Sequence, residues 1–200
     1  NIAIGDAAMG STNSGDNNVA IGVRALNYNY SGANNVAIGT RALHASNGFS
    51  NLVAIGDSAL YNNGVGASFD PEALDSKRNM AVGSKALYAN TTGYANIALG
   101  YHTLKNNTEG YSNTAIGVEA LYNNTVGDYN TTFGHGAMYS NIDGEMNTAV
   151  GYYSLYENSD GASNTAMGYA ALYSNDSGDR NTGCGYGTLY QNTTGERNTA

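Results

Sequence analysis

A glycine returns every 17 residues along this chain, and that period restricts the folds open to it. Gly5, Gly22, Gly39 and Gly56 are spaced by 17. Gly83 follows after a longer step of 27, and Gly100, Gly117, Gly134, Gly151, Gly168 and Gly185 return to 17. The repeat reads approximately N-T-A-I-G-Y-x-A-L-Y-x-N-T-T-G-x-x, with a further copy begun at Asn198. A fixed period of this length marks a solenoid, in which each repeat is one unit that buries its apolar side against its neighbours. Seventeen residues are too few for a strand, a full helix and two turns, and glycine recurs too often for a helix to survive. The expectation is an all-β fold, a parallel β-solenoid or β-roll of eleven 17-residue coils. Residues 1–200 form a single repetitive segment, with two short strands per coil around T-A-I-G and A-L-Y. Coils stacked about 4.8 Å apart give a rod of roughly 50 Å.

Two apolar columns follow from the register. Directly before the glycine stand Ile4, Ile21, Ile38, Ile55, Val82, Leu99, Ile116, Phe133, Val150, Met167 and Cys184. Four residues after it stand Met9, Leu26, Leu43, Leu60, Leu87, Leu104, Leu121, Met138, Leu155, Leu172 and Leu189. Both are expected to be core ribs, with Cys184 as a small hydrophobe within one of them. A second glycine, ten residues after the first in most coils (Gly110, Gly127, Gly144), sits beside Asn, Asp and Ser as a turn residue.

Such a core is thin. Two aliphatic side chains and some alanines per coil contribute less than the ordering of 17 residues costs. Small-residue columns would let neighbouring chains approach closely, so the expected assembly is a parallel homotrimer, against the alternative of a single-chain solenoid with a flattened core.

Composition narrows the function classes. Charged residues make up 12%, the formal charge is −8, and Lys and Arg are scattered singly, so no basic stripe favours nucleic acid. The single Cys184 excludes an intrachain disulfide, and no Cys/His cluster suggests a metal or another cofactor. No apolar run reaches the length of a membrane span, so no membrane insertion is expected of this segment. Both ends fall inside a motif, and the chain reads as a segment of something longer.

The N-x-A-[IV]-G string, seen at Asn18–Gly22 and Asn35–Gly39, resembles the head domains of trimeric autotransporter adhesins, whose chains form trimeric left-handed parallel β-rolls. This sequence departs from them in its longer period and in its Leu-Tyr and Asn-Thr-Thr-Gly elements. With those elements it resembles more strongly the N-T-A-I-G-x-x-A-L-Y repeats of phage tail-fibre and related surface proteins. The resemblance covers essentially the whole chain. It implies an extracellular fibre, on a virion tail or a cell surface, used for attachment, host recognition or coating.

Candidate binding residues fall into three groups. Tyrosines recur five residues after the glycine, among them Tyr88, Tyr122, Tyr156 and Tyr173, with a second set one residue after it. An exposed ladder of rings would suit a glycan, and a buried one would fill a wall or a seam between subunits. Asparagines form two columns, one opening the repeats (Asn96, Asn113, Asn130) and one seven residues after the glycine (Asn107, Asn124, Asn141), where stacked amides are expected to bond coil to coil. The period breaks once, through a ten-residue insertion near residues 67–76 with Phe69, Asp70, Glu72 and Asp75 around the only proline, Pro71. Solenoid insertions emerge as loops on one face and often carry binding. The acidic trio lacks the glycine and terminal glutamate of an EF-hand.

Asn29, Asn90, Asn106, Asn123, Asn130, Asn175 and Asn192 stand in N-x-[ST] sequons, which a chain so rich in Asn and Thr produces by chance. Paired threonines such as Thr91-Thr92 are too irregular for an ice-binding lattice. His44, His102 and His135 fall in different coils, and no nucleophile has a base partner, so no enzyme is expected.

Overall fold

A computed structural model describes residues 1–11, 14–46, 48–67 and 76–200. Among them the fold is all-β, a parallel β-solenoid with no helix. Each coil contributes one three-residue strand: β1 (Ile2–Ile4), β2 (Val19–Ile21), β3 (Val36–Ile38), β4 (Val53–Ile55), β5 (Met80–Val82), β6 (Ile97–Leu99), β7 (Thr114–Ile116), β8 (Thr131–Phe133), β9 (Thr148–Val150), β10 (Thr165–Met167) and β11 (Thr182–Cys184). They form one eleven-stranded sheet in sequence order. Register follows the period, with Val19 opposite Val36 and Thr165 opposite Thr182.

The strand expected at A-L-Y does not form. Leu26, Leu43, Leu60, Leu87, Leu104, Leu121, Leu155 and Leu172 all adopt φ near +50°, and so does the residue two before each, such as Arg24 at +56°. The backbone there is a chain of turns, closed by bonds such as Asn90 N–H to the Leu87 carbonyl at 3.3 Å. Coil-to-coil bonding nevertheless continues through it. Leu26 N–H donates to the Ala42 carbonyl and Tyr28 N–H to that of His44, both at 2.9 Å. A left-handed φ is tolerable for leucine or methionine and a severe outlier for a β-branched residue. That is why this apolar column holds Leu and Met and never Val or Ile.

The interior differs from the expected one in a second respect. Leu26, Leu43, Leu60, Leu87, Leu121 and Leu172 are fully buried, but Ile4, Ile21, Ile38 and Ile55 are not core residues. Side chains alternate along a strand, and here the middle residue, Ala20, Ala37, Ala54 or Ala81, is the one turned inward. Opposite it lie the leucines, a second buried alanine column and the asparagines, which leave room for a methyl group and no more. The isoleucines stand on the outer face of the sheet, Ile4 at 58% exposure, and Cys184 at the end of their column is exposed too.

Asparagine supplies the rest of the core. In the first column Asn113 N–H donates to Asn96 Oδ1 at 3.0 Å, and its Nδ2 donates to the Gly127 carbonyl at 2.8 Å. In the second, amides bond to one another directly, Asn141 Nδ2 to Asn124 Oδ1 at 2.7 Å and Asn158 Nδ2 to Asn141 Oδ1 at 2.9 Å. Each also donates to the glycine carbonyl three residues on, as Asn141 does to Gly144 at 3.0 Å. Buried amides are tolerable only when satisfied in this way.

Both asparagine columns break in the third coil, where Ser46 and Leu52 occupy the two positions and Phe49 occupies the turn glycine's. Leu52 and Phe49 are buried, and the Phe49 ring fills the space into which a side chain at Gly64 would project. The insertion follows in the next coil without interrupting the ladder, since Val53 still pairs with Met80 and Ile55 with Val82.

Candidate functional site

Two surfaces run the length of the solenoid. The first is the outer face of the sheet, made by the residues on either side of the buried alanines. One of its columns is Ile2, Val19, Val36, Val53, Met80 and Ile97, continuing as Thr114, Thr131, Thr148, Thr165 and Thr182. The other is the isoleucine column ending at Cys184. Ile2, Ile4, Phe133 and Met167 are each about half exposed. A parallel sheet with an apolar, uncovered face is unusual, because parallel sheets are ordinarily covered on both sides.

The second surface is aromatic. Tyr122, Tyr139, Tyr156, Tyr173 and Tyr190 stack in order, with centroids 4.9–5.2 Å apart and planes within 13° of parallel. Tyr61 stacks on Tyr88 at 5.2 Å, and Lys105 bridges the interval, its Nζ 4.9 Å from the Tyr122 centroid and 2.8 Å from that ring's hydroxyl. A shorter stack, His135, Tyr152, Tyr169 and Tyr186, runs along the column next to the glycine. The spacing is the coil repeat itself, so rings at equal positions meet face to face. Burial in the stack raises the phenol pKa of Tyr139, Tyr156 and Tyr173 above the ordinary value.

This geometry bears on Tyr88, Tyr122, Tyr156 and Tyr173 as glycan-binding candidates. Their faces are occupied by neighbours, and what reaches solvent is ring edge and hydroxyl. Carbohydrates stack on exposed ring faces, so the ladder interior offers a sugar little of what binds it. Phe69, Asp70, Glu72 and Asp75 lie outside the described residues. Among the described residues no group of three or more His, Cys, Asp or Glu is placed to share a metal ion, and no helix is long and apolar enough to cross a membrane.

Besides Lys105, the aromatic wall is interrupted in the first two coils. Where Gly10 and Asn27 take the place of rings, a cleft of about 400 Å³ opens beside Arg24, Arg41, His44 and Tyr61. His44 closes the tyrosine stack there, parallel to Tyr61 at 4.8 Å. Burial lowers its pKa below the ordinary 6.5, helped by the charges of Arg41 and Arg24. Sequence reasoning passed over this cleft because it counted Lys and Arg as scattered. The signal was available, since 24 and 41 are one period apart.

No protein-family model, curated protein or solved structure matches this chain. What it does must therefore be argued from its own surfaces.

Proposed function

We propose that the chain is a structural segment, shaft or head, of an extracellular trimeric fibre used for attachment or host recognition, and that it is not an enzyme. The observation that carries this reading is the uncovered apolar face of the eleven-stranded sheet. Copies of one chain share its period, so their outer columns meet coil for coil when packed parallel around an axis. The half-buried isoleucine column then becomes the contact between chains, and its full burial adds to a core that is thin within each chain. Leu, Ala and Asn hold each coil; Ile, Val and Thr hold coil to coil across chains. A parallel homotrimer on a virion tail or cell surface is the assembly this favours.

Sedimentation equilibrium on the folded chain tests the assembly, with a trimer expected. Ile38→Lys and Ile116→Lys, both on the outer face, should dissociate it, whereas Ser174→Lys on another wall should not. A stable, folded monomer at micromolar concentration would sink the trimeric reading. Attachment is tested separately, by binding of the labelled protein to candidate host cells.

A second reading, a glycan-binding module, draws support from the cleft at Arg24 and Arg41 rather than from the covered faces of the tyrosine ladder. A third, a purely structural filament that coats a surface, is favoured if the folded trimer binds no cell.

A further inference from the structure

The cleft in the first four coils has two arginines on consecutive rungs of one column. Its lining is Ala7, Arg24, Asn27, Tyr28, Arg41, His44 and Tyr61. Arg24 and Arg41 hold the same position in consecutive coils, one strand spacing or about 4.8 Å apart along the axis. Their backbones are fixed by the ladder, Arg41 N–H donating to the Val23 carbonyl at 2.8 Å, and both side chains are exposed.

In a chain of net charge −8, two stacked arginines would be expected to carry a counter-charge. Among the described residues neither makes an ion pair. The residues preceding them are Val23 and Thr40, and those above and below in their column are Ala7 and Ser58; Asp6 and Asp57 stand one position earlier on those flanking coils, and neither forms an ion pair with the arginines. Like charges on neighbouring rungs repel each other, and an anion shared between them would remove that repulsion. Guanidinium forks match a carboxylate in shape as well as charge.

The remaining lining is suited to a sugar. Tyr28, 42% exposed, meets His44 in a T-shaped contact at 5.0 Å and so stands outside the parallel stack that His44 forms with Tyr61. Asn27 Nδ2 is committed to the Ala7 carbonyl at 2.7 Å, which leaves its Oδ1 as an acceptor for a hydroxyl. A volume near 400 Å³ holds one or two monosaccharide units.

We infer that this cleft is a binding site for a carboxylate-bearing sugar, held by Arg24 and Arg41 with Tyr28 against the ring. The inference names a ligand class for the attachment reading and rests on it for the expectation that host glycans are encountered. Neither residue belongs to the outer sheet face, so occupation of the cleft and trimer assembly are separable.

The test is calorimetric titration of the full chain with sialic acid methyl glycoside and a glucuronate disaccharide, beside lactose and inorganic phosphate. An acidic sugar should bind at least about tenfold more tightly than lactose, and Arg24→Gln or Arg41→Gln should weaken it by about tenfold each. Arg180→Gln, far along the stack, should change nothing. Both cleft variants replace exposed side chains, and an unchanged melting temperature confirms that they fold. Equal affinity for acidic and neutral sugars, or undiminished binding in the double variant, overturns the proposal. Phosphate binding as tightly as the sugar acids overturns the sugar part of it. If every sugar fails while the trimer still attaches to cells, the cleft is refuted and the attachment reading stands; sugar binding without attachment refutes only the latter.

Discussion

Asn124 donates its amide to Asn107 Oδ1 at 2.8 Å in the coil before it and accepts the Asn141 amide at 2.7 Å from the coil after it. Every hydrogen-bonding atom of that buried side chain therefore points at a neighbouring coil or at its own turn. The ladder acts as an interior register mark, since an amide out of step by one residue would have no partner.

Removing one rung should be costly. Asn124→Ala strips a partner from Asn107, from Asn141 and from the Gly127 carbonyl, and is expected to destabilise by on the order of 3 kcal/mol. Asn124→Asp should be worse at neutral pH, because a carboxylate would face the Asn107 and Gly127 oxygens, and should improve as the solution is acidified and it protonates. Urea unfolding at pH 7 and pH 4 reads both effects.

Leu104, with φ of +50°, separates side-chain volume from backbone conformation. Leu104→Met keeps an unbranched Cβ and should cost less than about 1.5 kcal/mol. Leu104→Ile conserves volume but places a branched Cβ in the left-handed region, and should cost about 2 kcal/mol more than the Met variant. Equal midpoints in denaturant for the two variants would remove the backbone explanation for the composition of this column.

Gly168 has φ of +138°, and a Cβ on it would lie 2.5 Å from the Gly185 carbonyl oxygen and 2.7 Å from its carbon. Gly168→Ala should therefore prevent its coil from stacking, seen as lost amide protection on both sides in hydrogen exchange.

Thr132 occupies the inward strand position that alanine fills in most coils, and its buried hydroxyl has no hydrogen-bond partner. Thr103 and Ser154, in the other small-residue column, bond to the carbonyls of Gly117 and Gly151. Thr132→Val keeps the shape and removes the unpaired group, so it should raise stability by about 1 kcal/mol in thermal unfolding.

Much of this architecture was legible in the sequence, for a physical reason. In a stack of equal coils, position within the period determines the neighbour, so the Gly, Asn and Leu columns declare their contacts by recurring. Which side of the strand faces inward was not legible. Val19, Ala20 and Ile21 offer three apolar residues, and hydrophobicity favours Ile inside, but the cross-section left by Leu26 and the asparagines admits only Ala20. The bent path through A-L-Y was hidden for a related reason, because alternating small and apolar residues look like a strand until φ is known. The cleft was missed because it depends on what is absent, rings at residues 10 and 27, as much as on the two arginines.

The third coil, with Ser46, Phe49 and Leu52 in place of the asparagines and turn glycine, has a mechanical consequence. Hydrogen bonds between coils lie along the rod axis, so tension on the ends loads all the bonds of one junction together and all junctions one after another. A rod so loaded parts at its weakest junction. Leu52 N–H and Ser46 Oγ still bond back to Asn35 Oδ1 and Asn29 Oδ1, but among the described residues neither position passes an amide bond on to the fourth coil, and the packed Leu52 and Phe49 side chains resist axial separation less over the short distance in which hydrogen bonds fail. Under load, this position beside the insertion acts as the solenoid's mechanical fuse.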